Sequence, residues 1–250
     1  MNNLKGKVAV VTGGSRDIGR AVSLRLAAEG AKVCINYCHR PEKAQETLDM
    51  IKKAGGEAIM VKADVTKAAD VKFLFEETVK AYGKVDILVN NAGGIVGRKK
   101  IQEQDEEWYQ TLMDLNFKSC WLCTKEALNY MGKGSAIVNI SSQAARDGGG
   151  PGSSIYACGK AAMLCHTRAM AKELGPQGIR VNAVCPGMIN TYFHDTFTAP
   201  EGREALHRSA PLRREGEADE VAGLVAFLAG DAAPYVTGTG IDINGGCLFS

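Results

Sequence analysis

Seven short apolar runs recur along the chain, at residues 7–12, 31–37, 57–62, 85–89, 135–140, 179–184 and 240–243. The first of them, Lys-Val-Ala-Val-Val-Thr, is a β-branched run of the kind needed by a strand buried on both faces. Between the runs the apolar spacing changes to a helical period, over 18–29, 41–54, 67–82, 103–131, from 156 to about 175, and 217–228. Three strand–helix repeats within the first ninety or so residues predict a parallel sheet with helices on both faces. The expected fold class is therefore α/β, a doubly wound sheet of about seven strands. No linker, repeat or low-complexity stretch interrupts the series, so residues 1–250 are expected to form one domain. Only 190–214 breaks the rhythm. It is polar, with Tyr192, Phe193 and Phe197 interleaved, and is expected to be a partly helical flap over a substrate.

Composition narrows the function more than the fold. A net charge of +2 gives no general case for nucleic acid or an anionic membrane as partner. No apolar run approaches the ~20 residues of a membrane span, and residues 1–7 lack the apolar centre of a signal peptide. A soluble, cytoplasmic protein is expected. Its eight cysteines are expected to be reduced and packed as small apolar residues. Cys120-Trp-Leu-Cys123 has the C-x-x-C spacing, but lies in a helical pattern with no second pair or histidine cluster to complete a zinc site.

The chemistry gathers where strands end. The first strand enters Gly13-Gly-Ser-Arg-Asp-Ile-Gly19, a glycine-rich turn into a helix that lets backbone N–H groups approach a phosphate. The second strand ends at Tyr37-Cys-His-Arg40, with no carboxylate to accept from a ribose 2′-hydroxyl. Instead it offers His39 and Arg40, with Arg16 in the preceding loop, and guanidinium groups suit a 2′-phosphate. NADP(H) is expected rather than NAD(H). Asn90-Asn-Ala-Gly93 closes the fourth strand, and Asn116 is a polar amide among Leu112, Leu115, Phe117 and Trp121. It must bond helix backbone at a kink or hold a water in a site, because an unpaired buried amide costs roughly 1–3 kcal/mol. Tyr156 and Lys160 lie one helical turn apart, about 5–6 Å between Cβ atoms. An ammonium there is expected to lower the phenol's pKa, which suits a proton donor or acceptor at a carbonyl or alcohol oxygen.

Thr12-Gly-x-x-x-x-Ile-Gly19, Asn90-Asn-Ala-Gly93, Asn116, Ser142, Tyr156-x-x-x-Lys160 and Pro186-Gly187 stand in the order of the short-chain dehydrogenase/reductase family. The chain resembles its single-domain Rossmann-type branch, especially the 3-oxoacyl-[acyl-carrier-protein] reductases, from about residue 5 to 246. The resemblance implies Tyr156 as general acid or base, Lys160 on the nicotinamide ribose, Ser142 on the substrate oxygen, and Asn116 positioning a water in a proton relay. It also implies that Gly13, Ser15, Arg16, Ile18 and Gly19 line the phosphates and adenosine, with Asp64 and Val65 at the adenine. Asn90 and Gly93 would lie along the nucleotide, Pro186, Gly187 and Ile189 at the carboxamide, and Thr191 at the pyrophosphate. Gln143, Tyr192 and His194 are expected beside the substrate. Arg98, Lys99, Lys100 and Arg146 are basic candidates for an anionic substrate or carrier, against a bland reading as solvated charges.

Two positions depart from the family pattern. Asp17 replaces a glycine, so its carboxylate must point away from a pyrophosphate or pair with a base. Ser142 lies fourteen residues before Tyr156 rather than thirteen, which implies one extra loop residue within 146–154 and leaves Ser141 the weaker candidate. The family implies a homotetramer whose Asn116 and Tyr156 helices pack across a two-fold axis. Substrates expected from the resemblance range from 3-oxoacyl chains to keto sugars and keto-uronic acids. A non-catalytic dinucleotide sensor is the alternative of another class.

Overall fold

The structure, a computed structural model, describes residues 4–198 and 200–249, the side chains at 193, 194, 200 and 206 excepted. Seven strands form one parallel sheet: β1 (Val8–Val11), β2 (Lys32–Tyr37), β3 (Glu57–Lys62), β4 (Ile87–Asn90), β5 (Ala136–Ile140), β6 (Arg180–Pro186) and β7 (Gly240–Ile243). Their spatial order is β3-β2-β1-β4-β5-β6-β7. The chain starts in the middle, runs outward to β3, returns to pair β4 with β1 at Val11↔Val89, and then runs outward the other way. That reversal opens a crevice beyond the carboxyl ends of β1 and β4, where open α/β sheets bind ligands.

Parallel neighbours need crossovers, and helices supply them. They are α1 (Asp17–Ala28), α2 (Pro41–Lys53), α3 (Ala68–Tyr82), α4 (Glu106–Met113), α5 (Ser119–Ala127), α6 (Ala144–Asp147), α7 (Ser154–Leu174), α8 (Tyr192–Phe197), α9 (Pro200–Ser209) and α10 (Ala218–Ala229). Successive strand residues serve opposite layers. Ala9, Val11, Val33 and Ile35 pack with Val22 and Leu26 of α1, Ile51 of α2 and Val225 of α10. Val10, Cys34 and Leu88 pack with Leu74 and Phe75 of α3, Leu122 of α5 and Leu174 of α7. Because both faces are covered, the central strands are apolar without alternation.

The continuous helix expected over 103–131 is broken. A 3₁₀ turn at Ile101–Glu103 precedes α4, whose N-cap Asp105 accepts the Trp108 N–H at 2.7 Å. Asp114–Lys118 then forms a π turn before α5. The extra residue in that turn directs Asn116 inward, where it is fully buried. A second difference is the short α6, in a loop expected to be irregular. In the flap, α8 and α9 give the expected partial helicity. Among the described residues no helix is long and apolar enough to cross a membrane, and no group of three or more His, Cys, Asp or Glu is placed to hold a metal. All eight cysteines are free; burial pushes the Cys120 thiol up to about 12 and Cys123 further in the same direction, so the C-x-x-C pair is packing.

Candidate active site

The β1–α1 turn is a backbone surface. Gly13 has φ 61°, and a Cβ on Gly19 would stand 2.1 Å from the Gly13 carbonyl oxygen, so no side chain fits there. Neighbouring strands clamp the turn. The Gly13 N–H donates to Asn36 Oδ1 at 3.1 Å, and Asn91 Nδ2 donates to the Thr12 and Gly13 carbonyls at 2.9 and 3.1 Å. Thr12 Oγ1 accepts the N–H groups of Asn91 and Ala92, both at 2.9 Å. Ser15 is buried, and its carbonyl accepts Thr47 Oγ1 at 2.9 Å, which ties the turn to α2. Ile18 packs into the α1 layer of the core. A bare turn at a helix N-terminus fits a dinucleotide pyrophosphate. Asp17 has φ 49°, and its carboxylate meets Arg16 at 3.3 Å and accepts the Tyr192 N–H at 3.2 Å.

The β2 end carries Tyr37, paired in register with Lys62, then exposed His39 and Arg40. Asp64, expected at the adenine, accepts Thr66 N–H and Oγ1–H and pairs with Lys67 at 3.4 Å, so its carboxylate shapes the turn into α3. Val65 lies in the core. Asn90, expected along the nucleotide, is turned inward. Its Nδ2 donates to Asn139 Oδ1 at 2.8 Å and Thr124 Oγ1 at 3.2 Å, while Asn139 Nδ2 donates to Thr167 Oγ1 at 2.8 Å. The sequence allowed the asparagines at 90 and 91 to brace loops, as Asn91 does, but did not single out the amide seam or the clamping side chains Thr12 and Asn36. The available signal was a polar residue at 36, 90 and 139 inside strands otherwise apolar.

Ser142, Tyr156 and Lys160 meet at the end of β5. A hydrogen bond joins Ser142 to the Tyr156 phenol, and Ser142 Oγ also accepts the Ala144 N–H at 3.1 Å, which fixes the hydroxyl beside the phenol. Ser141 faces the other way and donates to the Lys160 carbonyl at 2.9 Å. Lys160 Nζ donates to the Ile140 carbonyl at 2.8 Å and lies 5.9 Å from the Tyr156 ring centre. Asn116 is committed on both sides: Nδ2 donates to Gly94 O and Leu112 O, and Oδ1 accepts the Gly94 N–H, each at 2.9 Å. Its bond to the Leu112 carbonyl is the expected bond to helix backbone at a kink. A Cβ on Gly93 would stand 2.7 Å from Lys160 Nζ and 3.0 Å from Asn116 Oδ1, so the ammonium and amide converge on that glycine. Gly159 lets α7 close on the π turn, since a Cβ there would be 2.9 Å from Asn116 Cβ.

The expected lowering of the phenol pKa does not hold in the free protein. Burial pushes the Tyr156 pKa up, opposed only by the Ser142 hydrogen bond. Burial also brings Lys160 down to about 8. Desolvation outweighs the helical-turn charge effect for both groups.

The residues expected at the carboxamide and pyrophosphate lie at the end of β6 and after it. Pro186 ends β6, the Gly187 N–H donates to Ile243 O at 3.0 Å, buried Ile189 bridges to Gly216, and Thr191 Oγ1 donates to Ile189 O at 3.0 Å. Gln143 donates to Asp147 at 2.9 Å. Tyr192, expected beside the substrate, packs on Arg16 and Arg40. The side chain of His194 lies outside the described residues. Arg146 is not free for an anionic substrate, because it pairs with Asp242 at 2.8 Å and donates to Gly240 O at 2.7 Å. Arg98 donates to the Pro151 and Phe197 carbonyls, and Lys99 lies over Trp108.

Known proteins share both the sequence and this frame. The family model described as "Enoyl-(Acyl carrier protein) reductase" matches residues 13–247. The 3-oxoacyl-[acyl-carrier-protein] reductase of Synechocystis sp. is 40% identical, with all of both chains covered. A short chain dehydrogenase of Burkholderia cenocepacia, solved in complex with NADP, superposes with a TM-score of 0.93 at 36% identity, covering 98% of this chain and 99% of that one. The NADH-dependent reductase A1-R′ responsible for alginate metabolism superposes at 0.91 with 34% identity over both whole chains. Likeness of this extent, running through the turn, the strand ends and α7 alike, settles kinship: the chain is an oxidoreductase of the short-chain dehydrogenase/reductase family.

Proposed function

We propose that the protein is an NADP(H)-dependent carbonyl reductase acting on 3-oxoacyl-type substrates. The observation that carries it is the Ser142–Tyr156 hydrogen bond beside a buried Lys160, at the sheet edge adjoining a side-chain-free phosphate turn. Tyr156 holds a proton at its hydroxyl and delivers it to the substrate oxygen, or takes it back in oxidation. Ser142 donates to that same oxygen as negative charge develops on it. Lys160 offers its remaining N–H groups to the ribose hydroxyls, held in place by the Ile140 carbonyl. Asn116 fixes the Gly94 loop against which the ring side of the cofactor would rest. Bound nicotinamide supplies or accepts the hydride.

The single domain and a homotetramer belong to the same proposal. Tyr109 and Trp121, on α4 and α5, are about half exposed and suit burial against a second copy.

Support for NADP(H) is local. Arg16 and Arg40 flank the end of β2, no carboxylate replaces them, and the Burkholderia relative holds NADP. Neutralising both arginines is expected to raise the NADPH KM about tenfold to a hundredfold and leave that for NADH nearly unchanged, as charge-assisted hydrogen bonds are worth about 1.5–3 kcal/mol. Steady-state kinetics with both cofactors checks it; equal effects would move the 2′-phosphate elsewhere.

The likeness to the alginate-metabolism reductase favours a second substrate reading, a keto-uronic acid. Turnover of acetoacetyl thioesters and keto-uronates, compared in one NADPH-oxidation assay, decides between them. A higher kcat/KM on the thioester is expected. A keto-uronate preference replaces the first substrate class with the second, and tight NADPH binding with no turnover on any carbonyl would identify a sensor.

A further inference from the structure

Three non-glycine residues among those described have positive φ, and two of them, Asp17 (49°) and Arg40 (60°), stand at the mouth of the nucleotide cradle. Left-handed backbone is unfavourable for side chains with a Cβ, and Arg40 also precedes Pro41, which adds a further restriction. Such conformations persist where surrounding contacts over-determine them. Here the contacts come from Tyr192, the first residue of α8 in the flap. The Tyr192 N–H donates to Asp17 Oδ1 at 3.2 Å, and the guanidinium carbons of Arg16 and Arg40 lie 5.0 and 5.2 Å from the centre of its ring. Asp17 closes the group by pairing with Arg16 at 3.3 Å. Hydrogen bonds from Thr196 and Arg40 also hold the Tyr192 phenol below its usual range.

Three segments far apart in sequence thus share one cluster: the phosphate turn, the end of β2 and the start of α8. Its charges are two guanidinium groups against one carboxylate, a net +1 that an anion would neutralise. Guanidinium groups pack on an aromatic ring through their π face and donate hydrogen bonds through their edge, so a ring contact leaves in-plane N–H groups for a phosphate.

We propose that Tyr192 couples recognition of the nucleotide 2′-phosphate to seating of the flap: its ring orients Arg16 and Arg40 towards the phosphate, and the phosphate in turn holds α8 against the phosphate turn. Asp17, where the family has glycine, anchors the backbone end of the same contact. The coupling rests on the NADP(H) reading above. It is reciprocal, so whatever the phosphate adds to flap seating, the seated flap adds to phosphate affinity.

The test uses adenosine 2′,5′-bisphosphate and 5′-AMP, which differ by the phosphate alone, and follows tryptic cleavage in the flap at Arg203, Arg208, Arg213 and Arg214. In the wild type the bisphosphate is expected to slow cleavage severalfold and 5′-AMP not to. Tyr192→Leu is expected to lose that protection and to lower the NADPH-over-NADH preference about tenfold, whereas Tyr192→Phe, which keeps the ring, retains most of both. Tyr192 is 45% exposed, so neither change threatens folding. A Leu variant with wild-type preference and protection overturns the coupling and leaves the NADP(H) reading standing. Lost preference with protection intact also overturns it, reducing Tyr192 to a support for the arginines. A wild type that binds NADPH and NADH alike overturns both.

Discussion

Tyr156→Phe is expected to lower kcat for carbonyl reduction by about 10²- to 10⁴-fold, the usual worth of a positioned general acid. NADPH affinity should change little, because the hydroxyl bonds Ser142 rather than the phosphate turn or the arginines. The pH profile separates loss of chemistry from loss of shape. Burial raises the phenol's pKa, so the protonated acid needed for reduction predominates at neutral pH and below. The reductive rate should therefore be level there and fall as pH climbs through the phenol's pKa; the oxidative rate, which needs phenolate, should rise over the same range. Both limbs should vanish from the residual activity of the Phe variant. A Phe variant with wild-type turnover would transfer the acid role to another group.

Lys160→Met should have opposite effects on activity and stability. On the proposed function, loss of the ammonium removes the contact to the ribose hydroxyls and is expected to cost about 10²-fold or more in kcat/KM. The folded protein, however, should become more stable at pH 7. In the folded state Lys160 titrates near 8, against 10.5 for an unhindered lysine, because burial disfavours its charge. The shift corresponds to roughly 3 kcal/mol at 1.36 kcal/mol per unit, and the lost bond to the Ile140 carbonyl returns about 1 kcal/mol. A net gain of about 2 kcal/mol would raise Tm by about 4–8 °C in a chain this size. The sign with pH follows from linkage. Below pH 8 lysine is protonated both folded and unfolded, so the wild type carries the whole penalty. Between about 8 and 10.5 the unfolded chain binds the extra proton, and wild-type stability rises with pH. The variant's advantage should be largest below pH 8 and shrink above it. Melting curves across that range check this; a variant less stable than wild type at pH 7 would mean the ammonium is well compensated in its pocket.

Strands were legible because burial on two faces leaves a continuous apolar signature that needs no partner to be recognised. The Tyr156–Lys160 pair and the glycine turn were legible for a similar reason, since helical spacing and backbone access are local properties. What escaped was set by partners distant in sequence. A kink at Asn116 was expected as one alternative, but not its bond to Gly94, twenty-two residues earlier. The target of Asp17 is the Tyr192 amide, 175 residues away. The phenol's pKa was misjudged because a four-residue spacing reveals the neighbouring charge but not the burial of both groups, and burial is the larger effect.

The Asn90–Asn139 pair acts as a gauge. These residues are register partners of β4 and β5, and their amides continue to Thr124 on α5 and Thr167 on α7. Apolar side chains tolerate a slipped neighbour; this amide seam does not, because a slip would break its three hydrogen bonds and each newly orphaned group would cost about 1–3 kcal/mol. A slip of one residue would carry Ser142 about 3.3 Å along the strand, further than a hydrogen bond can stretch. The seam thus fixes the half of the sheet that carries the glycine turn against the half that carries Ser142 beside Tyr156. On the proposed function, substrate preference can then drift through the flap, residue by residue, while the distance over which hydride and proton must be delivered together stays constant.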